Sequence, residues 1–145
     1  MSPAPEWLRD LALLLARLAF GGLMLVEHGL GKVERLTGEG PVQFADPLGL
    51  GVETSLWLAA GAETVGAGML VLGLFTRLAC IPLAFTMGVA AFVVHQGDPL
   101  GDREPSLLYL AAYLLIFAMG PGRASLGQLL ARRLPRKGPL AFILA

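Results

Sequence analysis

A chain of 145 residues has room for one domain. Its 55% hydrophobic content, 15% charged residues and mean hydropathy of +0.68 lie outside the balance of an ordinary soluble domain. Eleven basic residues offset by eleven acidic ones exclude a nucleic-acid footprint or an acidic tail, so only the placement of the charges carries meaning. The pattern predicts an all-α, polytopic membrane protein: a four-transmembrane-helix antiparallel bundle over 1–126, followed by a basic cytoplasmic tail over 127–145.

Hydropathy places the first span at about 11–30. A cleaved signal peptide fits it poorly, because Glu6 and Asp10 accompany Arg9, Arg17 interrupts the apolar run, and no clear small-residue cleavage site follows. His28 comes three turns after Arg17 and shares its face, Lys32 follows one turn later, and Glu27 points away. The connection over 31–54 is long for a bundle and holds Pro41, Phe44, Pro47, Leu48 and Leu50, which suits an interfacial lid over a polar site better than a solvated linker.

The second span, 55–74, carries Glu63 within a run of small residues. Ala62 with Gly66, and Ala60 with Thr64 and Gly68, form rows that let helix backbones approach closely. No Gly-Lys-Ser/Thr follows them, so packing explains these glycines better than a phosphate loop. The third span, 78–96, contains Pro82 and ends at His95. The lone Cys80 excludes a dithiol relay and reads as a small core residue. The fourth span, 104–119, opens at Glu104 with Pro105 in its first turn, places Tyr109 and Tyr113 on one face, and stops at Gly120-Pro121-Gly122. Beyond it, Leu126, Leu129, Leu130 and Leu134 recur beside Arg132 and Arg133, the pattern of either an amphipathic segment on the inner leaflet or a solvated tail.

Lys and Arg number seven on the side of the termini and the Thr76-Arg77 turn, against three on the other side. The positive-inside rule therefore predicts both termini in the cytoplasm. A charged residue at a span centre costs roughly 2.5–3.5 kcal/mol on insertion scales and needs a partner or a wet cavity. Aligning the spans at their midpoints puts Arg17 and Glu63 about 7 Å apart in depth, which predicts an interhelical ion pair or a shared polar cavity. At the outer level His28, Lys32, His95, Glu27 and Glu104 gather. Their chemistry suits an anionic or quinone-like ligand, a proton relay, metal coordination or plain interfacial snorkelling.

Several of these elements stand together in one pattern. Arg17 precedes Phe20-Gly21 and Glu27-His28-Gly29-Leu30-Gly31-Lys32. Ala62-Glu63, Gly66 and Gly73-Leu74-Phe75-Thr76-Arg77 follow, then His95, then Gly120-Pro121-Gly122-Arg123-Ala124-Ser125-Leu126. The pattern covers the chain from about Arg17 to Leu126 and resembles the DoxX family of small integral membrane proteins. Members commonly carry Asp after the final Ser-Leu, where this chain has Gly127.

The resemblance implies a four-span protein of a bacterial or archaeal cytoplasmic membrane, often quinone-linked, with a cytoplasmic-side motif of Arg77, Gly120, Pro121, Gly122, Arg123 and Ser125. It further implies association with thiosulfate:quinone, oxidative-stress or thiol-redox complexes. Two functions follow. One is a quinone- or redox-linked membrane subunit, with no metal of its own and electrons arriving from a partner or directly from substrate, since one Cys and two His cannot hold a cluster or a bis-His haem and leave the polar site intact. The other is a non-catalytic scaffold for redox or stress-response proteins. A transporter is weaker, because four spans lack an internal repeat unless a homo-oligomer supplies symmetry.

Overall fold

A computed structural model describes residues 5–132, which are helical with no strand among them. The first helix, α1, runs through Glu6–Thr37, well past the expected 11–30 at both ends. Pro5 precedes it in an extended conformation and Glu6 lies in its first turn, where a carboxylate complements the helix dipole. Gly38 leaves it in extended backbone. The second helix, α2, is Val52–Leu72 and ends at Gly73, whose φ of 67° is left-handed.

The third, α3, is Thr76–Val94. Pro82 lies inside it, and the Thr86 hydroxyl donates to the Pro82 carbonyl at 2.9 Å. The fourth, α4, is Leu100–Met119. It begins a turn earlier than the expected 104, so Pro105 falls in the second turn, not the first. A short α5, Leu126–Ala131, is capped by the Ser125 hydroxyl, which accepts the Gln128 N–H at 3.3 Å. The stretch of the expected tail that holds Arg133, Leu134, Arg136 and Lys137 lies outside the described residues.

Three helices, α1, α2 and α3, are long and apolar enough to cross a membrane. The fourth matches them in length at 20 residues, but Asp102, Arg103 and Glu104 occupy its first turns and shorten its apolar stretch to 105–119. The distribution of surface fits lipid as solvent. Leu15, Val26, Val65, Phe85 and Leu115 are each more than half exposed, while the buried residues include Arg17 and Glu63. An aqueous protein inverts that arrangement.

The core joins Met24 of α1, Ala67 and Leu70 of α2, Cys80, Leu83 and Met87 of α3, and Tyr113 and Ile116 of α4. Two close approaches fix how α1 and α2 align. At Gly29 an added Cβ would lie 2.6 Å from the Glu63 carbonyl oxygen, and at Gly21 it would lie 2.9 Å from the Val71 side chain. Only glycine lets the backbones meet at the first of these points. The small residues of α2 divide their work: Gly66 packs against Leu83 of α3, whereas a Cβ added at Gly68 would meet nothing within 4 Å.

Candidate functional site

The alignment of α1 with α2 decides which polar groups meet. Gly29 stands opposite Glu63, and Gly73 stands against Arg17, where an added Cβ would be 1.9 Å from the guanidinium. Glu63 and Gly73 are about 15 Å apart along α2 at ~1.5 Å per residue. The expected Arg17–Glu63 ion pair therefore does not form. Glu63 instead accepts from the Lys32 ammonium, and Arg17 donates through Nη2 to the Ala124 carbonyl. The midpoint alignment failed because α1 extends through Thr37, which slides Arg17 away from the level of Glu63 and brings Lys32 onto it.

Both buried charges are nearly inaccessible, Arg17 at 1% and Glu63 at 2%. Glu63 has an ammonium for its charge. Arg17 has a single carbonyl, and its Nε and Nη1 find no partner among the described residues. Each of these polar positions coincides with a widened, π-type turn: Arg17–Gly21, Met24–Gly29 with Glu27 and His28, Ala62–Gly66 with Glu63, and Ala90–Val94, which His95 closes. Such turns are rare, and they recur at functional sites because they re-aim a side chain within an otherwise regular helix.

The Lys32–Glu63 pair borders a cavity of about 500 Å³. His28 and Lys32 of α1, Glu63 of α2, His95 at the end of α3 and Tyr109 of α4 all line it, so each of the four long helices or its cap contributes a polar group to one space. Apolar walls from Leu58, Phe85, Met87 and Val94 enclose the rest. The His28 and Tyr109 rings meet edge to face, their centroids 5.8 Å apart. Tyr109 also meets Phe20 edge to face at 5.7 Å, and the Tyr113 hydroxyl donates to the Phe20 carbonyl at 3.3 Å, which braces the aromatic wall from behind. His95 Nδ1 lies 2.9 Å from an Asp98 carboxylate oxygen, so Nε2 is its remaining ring nitrogen for another partner. Glu27 and Glu104, grouped with these residues by level alone, are exposed and do not line the cavity. Among the described residues no three His, Cys, Asp or Glu side chains gather as a metal site.

The loop between α1 and α2 covers this space. Phe44, Ala45, Pro47, Leu48 and Leu50 line the cavity, and Lys32 Nζ sits 6.0 Å from the Phe44 ring centroid. A carboxylate missed by sequence reasoning holds the loop. Asp46 accepts from the Leu50 and Gly51 N–H groups at 3.0 and 2.9 Å and from the Ser55 hydroxyl at 2.7 Å, tying the loop to the first turn of α2. Its sequence signal is an Asp followed by Gly49-Leu50-Gly51 just ahead of a helix.

The Ser55 hydroxyl most of all, with help from the backbone N–H groups of Gly51, Leu50 and Gly49, holds the Asp46 carboxyl below its ordinary value, against an opposing effect of burial second in size to that of Ser55. A depressed carboxylate stabilises the fold above its ordinary pKa, and the contribution disappears as pH falls through the lowered value. Asp46→Ala is expected to speed hydrogen exchange at the Leu50 and Gly51 amides by about tenfold or more at pH 7. The difference between variant and wild type should vanish in acid, below the ordinary carboxylate range. Equal exchange at pH 7 would show that Asp46 does not hold the loop.

The motif residues predicted for the opposite end also come together. Arg123 pairs with Glu6 at 2.7 Å, its N–H donates to Asp10 at 3.0 Å, the Ser125 hydroxyl donates to the Gly122 carbonyl, and Arg77 lies against Gly120. The Gly-Pro-Gly-Arg turn after α4 is thereby fastened to the start of α1.

Residues 12–96 match the family model described as DoxX. Two relatives are each described as an uncharacterized protein of Haemophilus influenzae. One is 32% identical over 110 residues, covering 71% of this chain and 79% of the relative. The other is 28% identical over 91 residues, covering 59% of this chain and 60% of the relative, so that match spans less than two thirds of its length. No solved structure matches. The family match runs from the first turns of α1 through His95 and so includes Arg17, the Lys32–Glu63 pair, His28 and the covering loop; with the residues quoted from the sequence, it establishes that this chain belongs to the DoxX family.

Proposed function

We propose that this protein is a membrane subunit that binds the head group of a membrane-soluble redox ligand, a quinone, in the cavity between its helices. The observation that carries the reading is the convergence of His28, the Lys32–Glu63 pair, His95 and Tyr109 on one largely apolar space of about 500 Å³. That volume suits a substituted ring, and the few polar groups among apolar walls are what a ligand site needs for orientation. A quinone, when bound, supplies two-electron, two-proton chemistry. The chain itself would hydrogen-bond the ring oxygens from His28 and His95, orient the ring against Tyr109, and present the Lys32 ammonium with its charge balanced by Glu63. The loop held by Asp46 would keep bulk water out.

The reading includes four antiparallel spans, with α4 crossing through its 105–119 stretch once Asp102, Arg103 and Glu104 reach the interface. It also includes a prokaryotic cytoplasmic membrane and cytoplasmic termini, supported by the bias of Lys and Arg toward the Arg77 end. Electrons would come from a redox or stress-response partner or from substrate. Native mass spectrometry of the protein in nanodiscs with added quinone tests the site. Wild type is expected to retain the quinone, and His28→Ala and His95→Ala to bind it about tenfold more weakly, the loss of one good hydrogen bond each. Unchanged retention in both variants would refute the assignment. One observation favours the second reading, a non-catalytic scaffold: a Cβ added at Gly68 would meet nothing within 4 Å, which leaves that small-residue position of α2 open to a partner. On that reading, substitution at Gly68 changes co-purifying proteins, whereas substitution at His28 does not.

A further inference from the structure

The opposite end of the molecule holds a second cavity, about 280 Å³ in volume. Along α1, which holds both residues, about 35 Å at ~1.5 Å per residue separates Arg9, in its lining, from Lys32. Three arginines from three different elements line it: Arg9 of α1, Arg77 of α3, and Arg123 of the turn after α4, together with Glu6, Asp10 and Gln128. Two of the arginines are set by the protein. Arg123 is held by Glu6 at 2.7 Å and by Asp10 at 3.9 Å. Arg77 is seated against Gly120, where an added Cβ would come within 2.7 Å of Nη2. The Arg9 side chain makes no hydrogen bond or ion pair among the described residues, although Arg9 lines the same cavity. Among the described residues that line it, three are arginines and two are acidic.

The surroundings decide what kind of anion suits it. Trp7, Leu8, Leu11 and Met119 are exposed at this end, Trp7 by 65%. On helices that cross a membrane, such side chains face the acyl region just inside the interface, the depth at which tryptophan concentrates. Guanidiniums bind phosphate oxygens in pairs, and basic pockets between membrane helices take anionic head groups. We propose that this cavity is a binding site for the phosphate of an anionic phospholipid. Arg9 is the arginine free to engage it, and Arg77 and Arg123 form pre-set walls. A soluble phosphate shares the chemistry, but the apolar rim gives the advantage to a ligand that carries acyl chains.

The test uses the full chain in neutral detergent micelles, titrated with equal amounts of short-chain phosphatidylglycerol and phosphatidylcholine and read by native mass spectrometry. The anionic lipid is expected to be retained about fivefold or more over the choline lipid, the contribution of one interfacial basic residue. Arg9→Gln should erase that preference and Arg9→Lys should keep most of it. Arg35→Gln, which removes the same charge from the other end of α1, should leave it intact. Equal retention of the two lipids, or a preference that survives Arg9→Gln, overturns the site. Displacement of the lipid by millimolar inorganic phosphate overturns the lipid assignment and gives the cavity to a soluble phosphate.

Discussion

Glu63→Leu is expected to lower the free energy of unfolding by about 3–5 kcal/mol, the range seen when one partner of a buried ion pair is removed. Glu63 is 2% exposed and the Lys32 side chain 16%, so the substitution strands an ammonium where water reaches it poorly. The damage comes from that stranded charge more than from the lost attraction, because the desolvation of Lys32 is no longer compensated. Lys32→Met combined with Glu63→Leu should therefore recover most of the loss. Thermal unfolding in detergent of the two single variants and the double variant closes the cycle. If Glu63→Leu unfolds at the wild-type midpoint, the pair does not exist as described. Quinone retention separates structure from the proposed binding, since the double variant should regain stability but lacks the Lys32 ammonium that lines the cavity.

Gly73→Ala carries the other large expected loss, about 2–5 kcal/mol, from two separate causes. The residue turns the chain between α2 and α3 with φ at 67°, where a side chain costs roughly 1–2 kcal/mol. Its added methyl would also stand 1.9 Å from Arg17 Nη1 and 2.5 Å from Ser125 Cβ, and overpacking of this kind typically costs about 1–3 kcal/mol. Neither neighbour yields easily. Arg17 is buried and tied to the Ala124 carbonyl, while Ser125 caps α5, and the Gly127 N–H donates to the Gly73 carbonyl at 2.9 Å. Gly68→Ala is the matched control: it lies within α2, its added methyl would meet nothing within 4 Å, and it should be neutral or slightly stabilising, by up to ~1 kcal/mol. If both variants unfold alike, the close packing of Arg17 on Gly73 is wrong.

The two losses bear on different ends of one design. Lys32 with Glu63 places a neutralised charge pair beside the cavity, and Arg17 with Gly73 fastens the turn between α2 and α3 to the segment after α4. Both depend on α1 being longer than its apolar run.

The sequence by itself determined which stretches turn helical and seek lipid, which residues are out of place there, and which family the chain resembles. Hydropathy and the cost of burying charge are local properties, readable one span at a time. Arg17, Glu63, His28, Lys32 and His95 stand out on those grounds alone, and the apolar side chains of the 31–54 loop already argue for a cover. Only the tertiary structure decided who meets whom. Pairing depends on the axial alignment of two helices, which is set by the contacts of Gly29 with Glu63 and Gly21 with Val71 and by how far α1 continues past its hydrophobic core. A sliding of a few residues, invisible to composition, exchanged Arg17 for Lys32 as the partner of Glu63. The same long-range packing left Glu27 and Glu104 outside the cavity and gave Asp46, an unremarked loop carboxylate, the task of holding its cover.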